Sequence, residues 1–584
     1  MRLLKETLPP RFRLYGLSII CMIGVAAMTG ALAWSTKLVV NDVFSAGDAS
    51  AAVDVALILM GIAVVKAGVD YANAMIQVIF KRSVQADYQK RIFADFVRKD
   101  VWFFLGEHQA RYINQVKMFS NAASRLVVNL SNKFITDVLT LTALVIVMIL
   151  QDPLMSLVLL VLFPLIFALV SGLSARIRSV AKDEVAMTGA VDAVASEAFQ
   201  GIRTLKTYQL EEKSISKYHS AVDAVQERIF KIARLTSATM PLMQFLGGLI
   251  LGGFVLYASW QTISYGRTPG EFTAFITAFL LAYQPAERVS KLWVDVQKSL
   301  VAAQQMYIAL ERPARRALGG VETLDDAAPS VEFKDVSFSY DDDSPALHGV
   351  SFQIAPGERI AIVGRSGSGK TTTIDLVQRF YDPTEGQVRI GGYDLREVSE
   401  ASVRRYIALI SQDVFLFEGT IRENIRDGRP DAFDTEIARA AHLAALDDAL
   451  ASMPDGLDTE VGPNGSNLSG GQRQRVGIAR ALLSDARIYI LDEATSALDA
   501  RNDLAVLENI RTHIRDATVM FVTHRSSTLG FVDRVIMLDA GQVVGFDTFA
   551  RLAEEHNEFR TLFTIDEQEA GAEASEPEDE RQYM

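Results

Sequence analysis

The residues of this sequence best suited to chemistry lie in a glycine-rich loop, which reads GRSGSGKTT between Gly364 and Thr372. Its glycines let backbone N–H groups close around an anion, Lys370 supplies a positive charge, and the hydroxyl of Thr371 suits Mg²⁺. An apolar β-branched run precedes the loop and a helical pattern follows it. A strand, a loop and a helix in this order predict a cradle for the phosphates of a nucleotide. The predicted contacts are Gly364, Arg365, Ser366, Gly367, Ser368, Gly369, Lys370, Thr371 and Thr372.

Two adjacent carboxylates, Asp492 and Glu493, end the apolar run 487–491. Because side chains alternate along a strand, the two acids point to different sides and are expected to do different work. We predict that Asp492 binds Mg²⁺ and that Glu493 orients or deprotonates an attacking water. Two acids that cap a strand at a surface turn would look the same in isolation, but the phosphate loop upstream favours the catalytic interpretation.

A second glycine-bearing turn, Leu468-Ser469-Gly470-Gly471-Gln472, opens a helical stretch. The N-terminus of a helix offers free backbone N–H groups to an anion. One nucleotide does not need two such turns from one chain. We therefore predict that Ser469, Gly470, Gly471 and Gln472 contact a nucleotide held by another copy, so that the active sites lie at a dimer interface.

Tyr340 ends an alternating run, 331–340, that predicts a half-buried strand ahead of the phosphate loop. An aromatic ring at this place suits stacking on an adenine ring. A tyrosine at a strand end equally suits ordinary packing, so position alone leaves both interpretations open.

Composition predicts more than one domain and a membrane. The chain has 584 residues, too many for one ordinary core, and a mean hydropathy of +0.17 with the apolar residues concentrated in the first half. The net charge of -13 provides no basic field of the kind that binds nucleic acid, which we exclude as a partner. With Cys21 as the only cysteine, no intramolecular disulfide can form.

Runs of about 20 mainly apolar residues predict an α-helical domain with six membrane spans. Basic residues follow the second and fourth spans, whereas the turn after the first has none, so both termini and both long loops, 81–133 and 174–237, are predicted to be cytoplasmic. The loops should continue as helices into the cytoplasm. The six predicted spans are Leu14–Val40, Val53–Phe80, Phe134–Leu150, Leu154–Leu173, Ala238–Ile263 and Phe272–Trp293.

Two ionisable residues, Lys66 and Asp70, fall inside the second span. Ionisable groups within a membrane are costly and usually face the interior of a helix bundle. Their i, i+4 spacing lets them pair with each other. Such a pair is either a neutral link between packed helices or part of a cavity that binds a polar or charged headgroup.

The order of the motifs resembles the ATPase domain of ATP-binding cassette (ABC) transporters. GRSGSGKTT resembles Walker A, LSGGQ the signature, and Ile490-Leu491-Asp492-Glu493 Walker B, with Ser496-Ala497-Leu498-Asp499 as the D-loop. The resemblance implies that Gln412 is the Q-loop glutamine, which contacts Mg²⁺, and that His524 is the switch histidine. It makes Glu493, His524 and Gln412 the catalytic set, with Thr371, Gln412 and Asp492 at the metal, and it supports Tyr340 as the adenine-stacking ring.

The first half resembles the exporter-type transmembrane domain of the same superfamily. That resemblance implies a six-span helical domain, 1–312, and an α/β P-loop ATPase domain, 331–565. Prolines, glycines and an acidic stretch predict a linker between them, 313–330, and the tail, 566–584, is rich in Glu, Asp and Ala and is expected to be disordered. The resemblance also implies coupling helices at loop tips near Met118-Phe119-Ser120 and near Thr207-Tyr208-Gln209-Leu210. In the X-loop, 459–465, Pro463 stands where the family usually has an acid.

The resemblance implies ATP and Mg²⁺ as cofactors and a multi-pass protein of the bacterial inner membrane. Its expected partners are a second copy or a related half-transporter, membrane lipids and a transported substrate. The expected function is ATP-driven export or flipping of a lipid or amphipathic drug-like compound by alternating access. The alternatives are export of a peptide or glycoconjugate, siderophore import on an exporter scaffold, and an ATP-gated assembly that transports nothing.

Overall fold

The fold was obtained as a computed structural model, which describes residues 2–45, 49–105, 109–159, 161, 191–237, 239–265, 268–311, 320–324, 329–340, 345–514 and 516–563. The chain divides into two compact units. The first comprises Met1–Lys99 and Phe104–Pro313, and the second Asp100–Phe103 and Ala314–Met584. The predicted tail and much of the predicted linker lie outside the described residues.

The described residues of the first unit form helices and the turns that join them. Three of its stretches are long and apolar enough to cross a membrane, namely Pro9–Ser45, Ser50–Val97 and Arg111–Gln151. Residues 153–159 and 191–200 are also helical. The named helices are α1 Arg2–Thr7, α2 Phe12–Leu38, α3 Ala49–Val97, α4 Gln109–Val128, α5 Phe134–Gln151, α6 Ile202–Thr207, α7 Glu211–Ser237, α8 Thr239–Tyr265 and α9 Pro269–Glu311.

Five of the six predicted spans fall on these helices, and the fourth lies mostly outside the described residues. Helix α3 continues well past the predicted span to Val97, as expected for a helix that runs on from the membrane. The third and fourth spans are separated by a turn at Asp152, whose side chain accepts hydrogen bonds from the backbone N–H groups of Leu154 and Met155. This cap starts the second helix of the predicted hairpin.

Of the two predicted loop tips, one coincides with a turn and one is wrong, and the coupling role of the first stays a prediction. Residues 208–210 form the turn between α6 and α7. Met118–Ser120 lie within α4, where Ser120 is fully buried, and the chain turns instead between Val97 and Gln109. The apolar periodicity of 109–128 continues through Met118, so a tip at that place would have exposed a packed face.

Small and large apolar side chains pack together where the membrane helices meet. Ala33 of α2, Leu144 of α5 and Phe275 of α9 are completely buried in one apolar cluster, with the ring of Phe254 set edge-on to Phe275 at 5.3 Å. Lipid provides little hydrophobic driving force between helices, so close packing of this kind supplies much of their association.

The second unit contains two sheets. A four-stranded antiparallel sheet has the order β2-β1-β4-β5, and a six-stranded sheet has the order β10-β9-β3-β8-β7-β6. Strands β9, β3, β8, β7 and β6 are parallel. The strands are β1 Val331–Ser339, β2 Pro345–Ile354, β3 Arg359–Val363, β4 Glu385–Ile390, β5 Tyr393–Asp394, β6 Ile407–Ile410, β7 Ile488–Asp492, β8 Thr518–Val522, β9 Arg534–Asp539 and β10 Gln542–Asp547.

The central strands of the larger sheet are apolar along their length because both faces are covered. All five residues of β8 are buried, as are four of five in β3 and in β7. The helices of this unit are α10 Lys370–Val377, α11 Glu400–Tyr406, α12 Ile421–Arg426, α13 Asp434–Leu443, α14 Asp447–Ala451, α15 Gly470–Leu483, α16 Ala500–His513, α17 Ser526–Leu529 and α18 Phe549–Glu555.

Candidate nucleotide site and family

Four groups of predicted site residues meet at one edge of the larger sheet. The phosphate loop follows β3, His524 follows β8, Asp492 and Glu493 end β7, and Gln412 follows β6. These strands are neighbours in the order β3-β8-β7-β6, and all are parallel. Because the carboxyl ends of parallel strands share one edge, residues from four distant parts of the sequence converge there.

The phosphate loop needs its glycines for backbone reasons. Gly367 and Gly369 have φ angles of +80° and +103°, which side chains rarely tolerate. A Cβ on Gly369 would also lie 2.6 Å from the side chain of Leu347, and one on Gly364 would lie 2.2 Å from the carbonyl oxygen of Leu538. These positions therefore require glycine, as the tightly turned backbone of an anion cradle does.

Lys370, the first residue of α10, holds this loop closed. Its Nζ donates to the carbonyl oxygens of Gly364 at 2.6 Å and Arg365 at 2.9 Å. Burial lowers the pKa of Lys370, and the nearby carboxylates of Glu493 and Asp492 oppose that shift. The ammonium group therefore lies between the loop and the two acids, where a phosphate chain with bound Mg²⁺ is predicted to pass.

The two acids at the end of β7 differ in environment, as predicted. Burial, and then the charge of Glu493, raise the pKa of Asp492, while Lys370 opposes the shift. Glu493 has a φ of +46°, a left-handed conformation that is uncommon for a residue with a side chain. Its Oε1 lies 3.3 Å from Nδ1 of His524. The strained backbone turns Glu493 away from the strand direction and toward the histidine.

Tyr340 lies above α10. Its Oη is 3.2 Å from Oγ1 of Thr372, and its ring is edge-on to Phe338 at 4.9 Å and to Tyr381 at 5.4 Å. Trp102, from the short segment of this unit that precedes residue 104, lies 6.4 Å from the same ring. The Tyr340 ring thus packs against other aromatic rings, and its hydroxyl lies beside the phosphate loop. Stacking of this ring on a base remains a prediction.

Ser469 and Gln472 have a structural task that the sequence did not predict. Gln472 N donates to Oγ of Ser469, and Ser469 N donates to Oε1 of Gln472 at 2.8 Å, which forms a capping box at the start of α15. Gly470 and Gly471 pack against Ala497 of the D-loop. The signature is therefore a well-formed helix N-terminus.

Two residues that the sequence did not single out join the catalytic loops. Gln474, 4% exposed, donates to Oγ of Ser496 at 3.1 Å and to the carbonyl oxygen of Gln412 at 3.4 Å, and accepts from Ala497 N at 3.0 Å. Arg525 donates to the carbonyl oxygens of Thr495 and Ser496. The sequence offered two signals for these residues: Gln474 is a second polar residue one turn into the signature helix, and Arg525 is a cation directly after the histidine.

An open cleft of about 650 Å³ adjoins these loops. The X-loop contributes a tight turn at Pro463, followed by Asn464 with a φ of +51°. The residues that line the cleft include Gln412, Asp413, Asn464, Arg473, Gln474 and Ser496.

Two family models match the chain. The ABC transporter transmembrane region matches residues 15–285, and the ABC transporter ATPase model matches residues 347–496. A relative from Sinorhizobium fredii, named an uncharacterized ABC transporter ATP-binding protein y4gM, is 35% identical over 97% of this chain and 97% of its own. This chain belongs to the ABC transporters.

Other relatives of this ABC transporter carry a more specific name. An ATP-dependent lipid A-core flippase from Syntrophus aciditrophicus is 31% identical over 97% of this chain and 94% of its own length. Another, from Desulfotalea psychrophila, is 32% identical over 97% of this chain and 98% of its own length. The solved structure of a bacterial Atm1-family ABC exporter with ATP bound has a TM-score of 0.86, with 26% identity over 95% of this chain and 99% of the other.

These similarities confirm the predicted fold class, a helical membrane domain followed by an ABC ATPase domain. They also show an integral membrane protein that binds nucleotide and couples ATP hydrolysis to transport. The membrane region and the ATPase are fused in one chain, so one ATPase accompanies each membrane domain.

Proposed function

We propose that this transporter is a homodimer that exports or flips an amphipathic compound, with membrane lipids as the first substrate class. One observation carries the proposal: the nucleotide residues converge at one sheet edge of a chain that aligns nearly end to end with flippases. The functional domains that we propose remain 1–312, 313–330, 331–565 and the tail 566–584.

ATP would be held by backbone N–H groups of the loop from Gly364 to Gly369 and by Lys370. When phosphates bind, the Lys370 ammonium exchanges its two carbonyl acceptors for phosphate oxygens, which are stronger acceptors. Arg365, Ser366, Ser368 and Thr372 complete the loop, and the ring of Tyr340 would stack on the adenine. The aromatic cluster behind Tyr340 fixes that ring in advance.

The residues present fit a Mg²⁺ ion. Thr371 is exposed at the start of α10, and Gln412 and Asp492 end neighbouring strands of the same edge, so a hydroxyl, an amide and a carboxylate are available. The half-buried Asp492 carboxyl has a raised pKa, and a bound cation would favour its ionised form. When bound, Mg²⁺ would neutralise charge on the phosphates. Oxygen ligands of this kind suit Mg²⁺.

Glu493 and His524 would handle the attacking water. The Glu493 carboxylate is the acceptor for a water proton, and the His524 ring, held 3.3 Å away, keeps that carboxylate oriented and reaches toward the γ-phosphate. Positioning and electrostatics account for most of such a reaction, because phosphoryl transfer needs little covalent help from the protein.

The signature helix would serve the nucleotide of a second copy. Ser469 and Gln472 hydrogen-bond each other, so α15 starts with an ordered turn whose remaining N–H groups, those of Gly470 and Gly471 among them, suit a γ-phosphate. Two P-loops and two signatures then make two equivalent sites in a homodimer. A dimer with a related half-transporter would use the same contacts.

The orientation follows from charge. Basic residues after the second and fourth predicted spans favour a cytoplasmic position for the end of α3 and for the helical residues 191–200. Both termini and the ATPase domain would then be cytoplasmic, and the relatives come from bacteria, which supports the inner membrane.

Lys66 and Asp70 are candidate cavity residues. Lys66 Nζ lies 2.9 Å from Asp70 Oδ2 on α3, so the predicted pairing within the helix is present. Their side chains are 26% and 46% exposed, so the pair is not enclosed between packed helices of the described chain. The pair would therefore line the transport path rather than only join helices.

Reconstitution into liposomes tests the proposed function. A fluorescent phospholipid placed in the leaflet beside the ATPase domains should move to the opposite leaflet with ATP and Mg²⁺, and should stay in place with Lys370→Met. ATP-dependent movement that is stimulated by lipid supports a flippase. Absence of movement for lipids, dyes and peptides alike, with normal ATPase activity, would reject export.

One measurement separates the transporter proposed here from the ATP-gated assembly that the sequence left as an alternative. A gated pore would pass a solute down its gradient without a fixed ratio to ATP hydrolysed, whereas a transporter would move its substrate against a gradient. Stimulation of ATPase activity by peptides or glycoconjugates, rather than by lipids, would favour the other transport alternatives.

A further inference from the structure

One carboxylate joins three helices of the first unit. Glu6, on α1, accepts hydrogen bonds from Nε of Arg2, on the same helix, at 2.9 Å and from Nη1 of Arg91, on α3, at 2.8 Å. The hydroxyl groups of Tyr88, on α3, and Tyr307, on α9, donate to the same carboxylate at 3.3 and 3.4 Å. An ionised carboxylate accepts about four hydrogen bonds, so these four donors use its capacity. These five residues are called the Glu6 cluster below.

Helix α1 is held in place by this cluster and by packing. With six residues it is too short to be stable as a helix on its own. Its inner face is buried, since Leu3 is 6% exposed and Thr7 is 2% exposed. The guanidinium of Arg2 lies 4.5 Å from the centre of the Tyr307 ring and also pairs with Glu311, the last residue of α9. Helix α1 therefore links α3 to the end of α9.

The ends of α3 and α9 are also joined directly. Nζ of Lys99, two residues past α3, donates to the carbonyl oxygen of Leu310 at 2.8 Å. The chain passes from the first unit to the second at two places, after Lys99 and after Pro313. Both covalent connections to the ATPase unit therefore start beside helix ends that the Glu6 cluster and Lys99 hold together.

The strength of the single contacts makes Glu6 the central residue of this link. Arg2 and Glu311 are both 56% exposed, and an exposed ion pair contributes little to stability. The Glu6 side chain is 29% exposed and lies against Tyr88, which is 5% exposed. Hydrogen bonds to an ionised group are the stronger ones, and four of them meet at Glu6. Loss of this carboxylate therefore weakens the contacts of α1 with both other helices at once.

We infer that Glu6 is a positioning residue for transport: it fixes the ends of α3 and α9 to each other, so that both connections to the ATPase unit move as one body. The inference rests on the coupling of ATP hydrolysis to transport and not on the identity of the substrate. Glu6 acts through these helices, and the predicted nucleotide residues belong to the other unit. Loss of Glu6 should therefore leave hydrolysis intact and uncouple it from transport.

A distance measurement tests this inference without any substrate. Spin labels on Gln89→Cys and Gln304→Cys, two exposed positions of α3 and α9, report the separation of the helix ends in a Cys21→Ser background. Dimers with one labelled chain are compared without nucleotide and with ATP, Mg²⁺ and vanadate. We expect one narrow distance, equal in both states, and a broadened or shifted distribution once Glu6→Gln is added. A distance that changes between the two states before Glu6 is replaced, or a distribution that Glu6→Gln leaves unchanged, would overturn the inference.

The second readout is the number of fluorescent phospholipids moved per ATP hydrolysed in liposomes. Glu6→Gln should keep basal ATPase activity near wild type and lower this ratio about tenfold, because the charged hydrogen bonds that hold α9 are weakened. A merely structural role would lower hydrolysis and transport together, and the unchanged ratio would reject the inference. Absence of lipid movement in the wild type refutes only the proposed function, since the distance measurement needs no lipid movement.

Arg11→Gln with Asp87→Asn is the matched control. Arg11 joins the same N-terminal segment to α3, through Oγ of Ser83 at 3.0 Å and through Asp87, and its replacement leaves the bonds to α9 in place. The control should match the unmodified transporter in both readouts. A change equal to that of Glu6→Gln would show that any loosening of the N-terminus has this effect, and would overturn the inference.

A second variant covers the case in which Glu6→Gln does not fold. Arg2→Gln with Tyr307→Phe removes contacts of α1 with α9 and keeps the pair between Glu6 and Arg91. The distance distribution should broaden in the same way. An unchanged distribution in this variant would reject the link between α1 and α9.

Discussion

At the scale of single residues, the site depends on the strained backbone of Glu493 and on the opposite charges of Lys370 and the two acids. The +46° φ of Glu493 turns its carboxylate toward His524, and Asp492 remains on the strand. Burial affects the ionisable groups of this edge in opposite directions, lowering the pKa of Lys370 and raising that of Asp492. Phosphates would stabilise the charged form of Lys370 and Mg²⁺ that of Asp492, so the charges of this edge favour binding of both ligands.

Replacement of Glu493 by Gln tests its catalytic role. The amide keeps the shape of the side chain and the contact with His524 but cannot accept a proton from water. We expect the turnover number to fall at least about a hundredfold, while Mg-ATP binding measured by equilibrium titration changes little. Wild-type hydrolysis in Glu493→Gln would remove this residue from the mechanism.

Asp375, one turn into α10, provides a prediction about pH. Burial, and then the charge of Asp492, raise its pKa from 3.8 to about 6, and a hydrogen bond with Tyr340 opposes the shift. Because the folded pKa lies above the unfolded one, the folded state loses stability as pH rises from about 4 through 6 and stays penalised above that.

The substitution Asp375→Asn removes this penalty, so it should stabilise the ATPase domain more at pH 7.5 than at pH 4. The difference between its effects on the free energy of unfolding at the two pH values should be on the order of 2 kcal/mol. Chemical denaturation of the full transporter in detergent, without nucleotide or Mg²⁺, provides the measurement. Equal effects of the substitution at both pH values would contradict the raised pKa.

At the scale of elements, the loops after the strands are held by side chains from other elements. Gln474 of α15 connects the Q-loop to the D-loop, and Arg525 holds the D-loop from the side of β8. Each strand brings one loop to the sheet edge, and these contacts fix the loops relative to one another. The D-loop is thus positioned from two sides before any nucleotide binds.

Gln474→Leu should uncouple these loops. Three hydrogen bonds of a buried side chain would be lost, at roughly 1–3 kcal/mol for each group left unpaired. Because Gln474 does not contact the phosphate loop, we expect kcat to fall about tenfold with little change in the KM for ATP, and Gln474→Glu to recover part of it.

Gln378→Leu is the matched control for that experiment. Gln378 is also 4% exposed, but among the described residues its side chain donates only to the carbonyl oxygen of Ile374 in α10. Equal losses of kcat in the two variants would show that a general loss of stability, rather than loop positioning, explains the result.

The Lys66–Asp70 pair of α3 can be tested by removing both charges. If the pair only links packed helices, Lys66→Met with Asp70→Leu is expected to be nearly neutral. If it lines the cavity, the double variant should fold and keep basal ATPase activity but lose substrate stimulation. A folded variant that retains both the stimulation and its half-saturating concentration would show that the pair is structural.

At the scale of the whole molecule, the order of the motifs predicted most of the site residues but few of the hydrogen bonds and ion pairs that join distant parts of the chain. The residues after β3, β8, β7 and β6 were predictable because the carboxyl ends of parallel strands share an edge. The hydrogen bonds of Gln474 join loops that are distant in sequence, and an ion pair between Arg288 of α9 and Asp137 of α5 joins residues 151 positions apart, so local patterns contain no signal for either. Met118 was misplaced because an amphipathic helix and a polar loop have similar composition.

The predicted dimer can be tested by mixing two inactive chains. Lys370→Met disables the phosphate loop of its own chain. Ser469→Asp disables the signature, because Asp is as good an N-cap as Ser and preserves the start of α15, whereas its charge repels the γ-phosphate of the other copy. Each homodimer then has two broken sites.

In a heterodimer of the two variants, both defects fall in one composite site, and the other site combines an intact phosphate loop with an intact signature. Differently tagged chains, purified through both tags, should therefore regain about half of the wild-type ATPase activity per dimer, as two equivalent sites related by a two-fold axis require. Native mass measurement should give the mass of two chains. Full wild-type activity in a species with the mass of one chain would rule out sites shared between copies, because a single chain would then supply both the phosphate loop and the signature to its own nucleotide.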